Sequence, residues 1–184
     1  KTFGEKIVLK ILSNNITHKT EVGGVALNVP VTEISERLNL MAQEVKSKSG
    51  ELAQNFLVQE MVADGVEFMV GMYHDPLGIA VLVGMGGVTA ELFKDTQMRL
   101  LSPGKALADQ EVLEMLKALK TWPLLNGYRG RPKCDVDTLV RVIVNFSQLV
   151  AVFGDRIIEC EINPIFVFKE GQGVKAADGI AVIK

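Results

Sequence analysis

The sequence predicts an α+β fold with mostly antiparallel sheets. Three observations predict it. Apolar, β-rich runs follow one another instead of alternating strictly with helices. Short turn signals, "HDPLG" and "KEGQG", join some of these runs as hairpins. Three longer stretches carry helical stripes or continuous apolar composition.

The elements follow in order. "EKIVLKIL" (5–12) reads as a strand, and "GVALNV" (24–29) as a second one stopped by Pro30. "TEISERLNLMAQEVKSKSG" (32–50) reads as a helix. Ile34, Leu38, Met41 and Val45 form its apolar stripe, Thr32 its N-cap, and Gly50 its stop after a basic last turn. "NFLVQEMV" (55–62), "VEFMVGMY" (66–73) and "GIAVLVG" (78–84) read as a series of hairpin-like antiparallel neighbours. "DQEVLEMLKALKTW" (109–122) reads as a helix capped by Asp109, and 135–154 as a longer, buried one starting at Asp135. Two strands, 156–168 and 173–183, close the chain as a hairpin.

Composition narrows the function. The chain has 184 residues, 48% of them hydrophobic, so a substantial core is expected. The formal net charge is -2 with both signs interspersed, which argues against nucleic acid as a partner. Cys134 and Cys160 are too far apart for a CxxC knuckle and read as reduced thiols. No signal peptide is visible, and no apolar run is expected to reach the ~20 residues of a membrane span. The chain opens almost at once into a strand, and so reads as part of a larger polypeptide.

Several residues carry chemistry. Glu161 and Asn163 in "CEINPIF" fall on one strand face, with Asp178 expected on the partner strand of the hairpin. Two carboxylates and an amide oxygen make a hard donor set that suits magnesium, although acids on such an edge also read as solvated surface. "GMGG", with Gly86 and Gly87 ahead of Glu91, lets backbone N–H groups approach phosphate, or simply makes a tight turn. Lys10 ends a buried strand where it can meet a phosphate or snorkel to water. Gln59, Glu60, Met61 and Val62 read as a connecting segment whose backbone can pair with a base, and Glu67 as an acid for a ribose. Arg129 in "NGYRGRP" suits a bidentate phosphate contact or a plain turn. His18 lies in a polar loop followed by Lys19 and Gly23-Gly24. A neutral imidazole can accept and return a phosphoryl group, and Lys19 could stabilise the charge.

Taken together, "VLKILSNNITHKTEVGGVAL", "VQEMVADGVEFMVGMYHDPLG", "GMGGVTAELFKD", "LLNGYRG" and "EINPIFVF" resemble, in this order, the ATP-grasp domain of the ADP-forming acyl-CoA synthetases. This acetate–CoA ligase family is related to the succinyl-CoA synthetase β-subunit. The resemblance implies an ATP-grasp fold of two α+β subdomains gripping a nucleotide between sheets. Residues 1–58 would be part of a lid subdomain whose N-terminal portion is missing. Residues 59–184 would form the C-terminal subdomain with hinge and metal site. It further implies ATP or ADP and Mg²⁺ as cofactors, and His18 as a phosphohistidine relay. Lys10 matches a phosphate-binding lysine, Gln59 to Val62 the adenine hinge, Glu67 the ribose-side acid, and Asn163 and Asp178 the magnesium ligands. Glu161 is the acid of the EINP segment.

The implied partners are CoA-binding and phosphohistidine-bearing domains, fused or separate. An oligomer is expected when complete, with no membrane or nucleic acid, in the cytoplasm. The sequence departs from the family where "DAR" becomes "DGI", so that Ile180 stands in place of an arginine, and where "HDPLG" is one residue short. Two other readings share the fold: a non-catalytic ATP-grasp module regulating an acyl-CoA-linked enzyme such as a protein acetyltransferase, and a carboxylate–amine ligase. The latter gives no reason for a histidine in the loop.

Overall fold

The computed structural model describes residues 4–13, 15–16, 19–62, 64–87 and 94–184. The chain divides into two compact units, Lys1–Ala63 and Asp64–Lys184. A division after residue 58 would cut through a strand, because Gln59 and Glu60 pair in register with Val8 and Ile7.

In the first unit, β1 (Lys6–Leu12) lies between β2 (Val25–Pro30) and β3 (Asn55–Glu60), with both pairings antiparallel. Ile7, Leu9 and Ile11 form one face of β1 and are wholly buried. They pack with Met41 and Val45 of α1 (Ile34–Ser49), joined by Ala26 and Val29. Each such side chain, fully buried, contributes about 1.5–3 kcal/mol. The expected stripe on α1 is therefore the one that seats it. Gly50 adopts the left-handed conformation at the helix end and donates its N–H to the Lys46 carbonyl. Thr32, however, is not the N-cap. A 3-10 turn at Val31–Glu33 leads straight into α1, and its tighter winding takes the place of a side-chain cap.

The expected pairing of the third strand with the fourth is also corrected. β3 closes the first unit's sheet against β1, so of these three strands β4 (Val66–Asp75) and β5 (Gly78–Met85) alone form a hairpin. Asp75 shapes their turn by accepting the Leu77 N–H at 2.9 Å.

In the second unit the sheet runs β6-β5-β4-β7-β8, with β9 also paired to β7. β6 (Thr96–Leu100) was not expected from the sequence, being short, polar and at an edge. β7 (Ile157–Val167) is long enough to hold β8 (Val174–Ala176) and β9 (Gly179–Ile183) end to end. The expected single strand over 173–183 is thus two strands, interrupted at Ala177 and Asp178.

Phe68, Val70, Val81, Val83, Ile165 and Val167 turn one sheet face toward α2 (Asp109–Ala118) and α4 (Val136–Phe153). Leu116, Leu139 and Ile143 meet them from the helices. α2 stops four residues short of the expected end. Buried Asp95 accepts the Lys120 and Thr121 N–H groups and the Thr121 hydroxyl, drawing the chain out of the helix. At its start Ala108, not Asp109, is the N-cap, and Glu111 reaches back to the Ala108 N–H at 2.9 Å. A short helix, α3 (Trp122–Leu125), follows.

Asp135 caps α4 as expected, accepting from the Thr138 N–H. Its second oxygen takes the Gly173 N–H at 2.8 Å, tying the helix start to the β7–β8 turn. With the following turn, α4 makes a 21-residue helical stretch, Val136–Arg156, long and apolar enough by length and composition to cross a membrane. This corrects the expectation that no run reaches that length. The physical reason is the core. Leu139, Val140, Ile143, Phe146 and Val150 are buried in the second unit, and a core helix needs an apolar composition for the same reason a spanning one does.

Candidate functional site

The sheet face of the second unit away from α4 carries two of the predicted acids, Glu67 and Glu161. Phe68 and Val70 belong to the core, so by alternation Glu67 and Gly71 of β4 lie on the opposite face. Glu161 of β7 is registered directly against Gly71 and shares that face. Between Ile162 and Ile165, β7 carries one residue more than β4 carries between Val70 and Phe68. This bulge holds Asn163 and the cis Asn163–Pro164 bond, and it returns Ile165 to the core while leaving Glu161 outside.

Three hydrogen bonds join the site. The Gly86 N–H donates to the Glu67 carbonyl at 2.9 Å, the Gly87 N–H to the Asn163 side-chain oxygen at 2.9 Å, and the Asn163 N–H to the Asp178 carbonyl at 3.1 Å. Glu67, Gly86, Gly87, Asn163 and Asp178, far apart in the chain, are thus brought together. Gly87 is required here on two counts. Its φ is +62°, and a Cβ would overlap the Glu67 carboxylate. The expected tight turn and the expected close approach are one feature.

Asp178 does not sit on a hairpin strand. It occupies the break between β8 and β9, where its carboxylate accepts the Gly179 N–H at 3.0 Å. Glu161 is flanked by Gly71 on one side and by Ile180 of β9 on the other. The position that departs from "DAR" is therefore the cross-strand neighbour of the EINP acid.

In the first unit, Lys10 pairs with Leu57 and Val8 pairs with Gln59, so Lys10 and Gln59 share the sheet face opposite α1. Lys10 is 8% exposed. Glu60 ends β3, with Met61 and Val62 following it. Lys19 begins the turn that runs to Gly24, where the Gly24 N–H donates to the Lys19 carbonyl at 2.7 Å. His18 and Glu91 lie outside the described residues.

Arg129 is not among the groups these hydrogen bonds join. It sits in a 3-10 turn between α3 and α4, left-handed at φ 49°, with its guanidinium 5.3 Å from the Tyr128 ring centre. At an exposed site that stacking contributes about 0.5–1 kcal/mol. The two cysteines are free, and burial pushes both thiols up, which disfavours thiolate chemistry at either.

Asn163, Asp178 and Glu161 carry the oxygen donor types that a hard divalent cation takes, and the Asn163 side-chain oxygen already accepts the Gly87 N–H. Among the described residues no group of three or more His, Cys, Asp or Glu side chains is arranged to hold a metal. The bulge and the β8–β9 break, which make this arrangement, carry no local sequence signal beyond Pro164 and "ADG".

Comparison with known proteins supplies the family. The ATP-grasp domain family matches residues 1–183. An acetate–CoA ligase (ADP-forming) I from Archaeoglobus fulgidus is 32% identical over 176 residues, covering 95% of this chain and 25% of the relative. The chain thus spans about a quarter of that relative's length. The acetate–CoA ligase (ADP-forming) I subunit beta from Pyrococcus furiosus is 32% identical, covering 91% of this chain and 71% of the subunit. Among solved structures, a dinucleotide-forming acetyl-coenzyme A synthetase 1 from Candidatus Korarchaeum cryptofilum, in complex with coenzyme A and Ca-AMPCP, superposes with a TM-score of 0.85. It is 31% identical, and the match covers 99% of this chain and 78% of that one. The same enzyme with Mg-AMPPCP, its phosphohistidine segment pointing towards the nucleotide binding site, gives a TM-score of 0.77. With the domain family matching nearly its whole length, this chain belongs to the ATP-grasp domain family.

Proposed function

We propose that this chain is the nucleotide-binding, phosphoryl-transferring domain of an ADP-forming acyl-CoA synthetase. The reaction is acyl-CoA, ADP and phosphate to free acid, CoA and ATP, or the reverse. The observation that carries the reading is the hydrogen-bonded run Glu67–Gly86–Gly87–Asn163–Asp178, which sets a glycine turn between a carboxylate and an amide oxygen. The relatives that are ADP-forming ligases support it over a regulatory module.

In this reading phosphate displaces CoA from the acyl group, and the acyl phosphate passes its phosphoryl group to a histidine on a companion domain. His18 receives the phosphoryl group and returns it to ADP, with Lys19 offsetting its charge. Lys10 binds phosphate, Gln59 to Val62 bind adenine, Glu67 binds ribose, and the Gly86-Gly87 turn approaches the phosphates. Arg129 is assigned a phosphate contact. Asn163 and Asp178, with Glu161, would hold Mg²⁺, which neutralises phosphate charge when bound. The protein's own contribution is positioning and electrostatic complementarity, since phosphoryl transfer needs little else. CoA-binding and phosphohistidine-bearing domains, fused or separate, are the partners. The complete enzyme is proposed to be an oligomer in the cytoplasm, where acyl-CoA, ADP and phosphate meet.

The test uses the full-length enzyme. His18→Asn should abolish ATP formation and the acid-labile phosphate label taken from Mg-ATP while the protein stays folded. Asn163→Ala with Asp178→Ala should remove the Mg²⁺ dependence of nucleotide binding in calorimetry. Normal turnover of His18→Asn would exclude the relay.

A further inference from the structure

His18 falls in the sequence between Ser13, just past β1, and Gly24, and the described residues on either side of it each rest on a glutamate from the α1 region. On the outgoing limb, Glu51, just past the helix, accepts from the Ser13 hydroxyl at 3.2 Å and from the Asn15 side-chain amide at 2.8 Å. Ser13 in turn accepts the Asn15 and Ile16 N–H groups at 3.1 and 3.2 Å, which curls the limb. Both oxygens of Glu51 are thus committed to two loop residues.

On the returning limb, the Gly23 and Gly24 N–H groups close onto the Thr20 and Lys19 carbonyls, and the Ile11 N–H of β1 takes the Gly24 carbonyl at 2.9 Å. Glu44 of α1 lies flat against this turn. A Cβ on Gly23, whose φ is +78°, would sit 3.1 Å from the Glu44 carboxylate and 3.4 Å from its Cβ. A Cβ on Gly24 would come within 2.7 Å of Ile11 and 2.9 Å of the Lys19 carbonyl. The glycine pair is the shape that lets the turn press on β1 and α1 at once. Arg37, two helical turns earlier on α1, holds Glu44 in place at 3.2 Å.

We propose that Glu44 and Glu51 are positioning residues that fix the two limbs of the His18 loop, with Arg37 orienting Glu44. The inference rests on the relay reading of His18 only for its catalytic consequence. Neither glutamate is part of the buried core, while Ile16 and Val22 of the loop pack on that core only partly. Loss of either glutamate therefore loosens the loop without unfolding the unit. A misplaced phosphoryl acceptor lowers transfer rate more than it lowers nucleotide affinity.

The experiment uses the full-length enzyme and Mg-ATP with a labelled γ-phosphate. Two readouts are taken: the rate of acid-labile labelling at His18, and hydrogen exchange of the Lys19–Gly24 amides. Glu44→Ala and Glu51→Ala should each slow labelling by roughly tenfold or more, with the ATP KM changed less than about twofold, and should speed exchange across the turn. Glu44→Gln keeps the shape and an acceptor for Arg37 and should restore most of the rate. Wild-type labelling and exchange in both alanine variants would overturn the proposal, as would an ATP KM that rises in step with the rate loss. If Glu44→Ala does not fold, Glu51→Ala carries the same comparison from outside the helix. If the wild-type enzyme takes no label at His18, the relay reading falls, and the exchange measurement alone decides whether the two glutamates hold the loop.

Discussion

Replacing Gly87 with alanine should destabilise the second unit by about 3 kcal/mol, and about a third of that cost should depend on Glu67. A non-glycine residue at φ +62° costs about 1–2 kcal/mol in backbone strain. The added methyl would overlap the Glu67 carboxylate, which must leave its rotamer at about 0.5–1.5 kcal/mol. Shifting the turn also threatens the Gly87–Asn163 hydrogen bond, worth about 0.5–1.5 kcal/mol net. Gly171 supplies the control. Its φ is +79° and nothing lies within 4 Å of a Cβ there, so Gly171→Ala pays the strain alone. Urea unfolding of the four proteins in the cycle Gly87→Ala, Glu67→Ala and the double variant, with Gly171→Ala beside them, separates the terms. The double variant should recover at least ~1 kcal/mol relative to additivity. If Gly87→Ala costs no more than Gly171→Ala, or if Glu67→Ala relieves nothing, the close packing of turn and carboxylate is refuted.

Three other outcomes are expected. Burial works against the charged form of Asp95, but hydrogen bonds from the Thr121 hydroxyl and the Lys120 and Thr121 amides outweigh it and hold the carboxyl below its usual value. A carboxyl lowered on folding stabilises fully above its unfolded pKa of about 3.9, and that stability is lost as pH falls through the lower folded value. Asp95→Asn should therefore lower the urea midpoint at pH 7 and flatten the loss of stability below pH ~4, and an unchanged acid profile would refute this. Ile180→Arg places a guanidinium directly across from Glu161, and the pair should add about 0.2–1 kcal/mol, read by thermal melting at low and high salt. Ile143→Ala, at a 1% exposed core position on α4, should cost about 2–5 kcal/mol by urea unfolding.

Much of this molecule can be read locally. The stripe of Ile34, Leu38, Met41 and Val45, the Asp135 cap and the Asp75 turn each depend on residues within a few positions of one another, and each stands where periodicity puts it. Glu67, Gly86, Gly87, Asn163 and Asp178 stood out in the sequence by residue type and by the resemblance, and hydrogen bonds bring them together in the fold.

What they do together was not legible. Period-two alternation says that a strand has two faces, but it does not name the partner, so β3 could be assigned to β4 when it belongs to β1. The helix end at Ala118 is set by Asp95, more than twenty residues earlier in the chain. The bulge at Asn163, the break that frees Asp178 from a strand, and the Gly87 turn against Glu67 arise only when β4, β5, β7 and β9 pair. Capping and amphipathicity are satisfied within a helical turn, whereas register and close approach are settled by backbone groups that must find partners across the whole sheet.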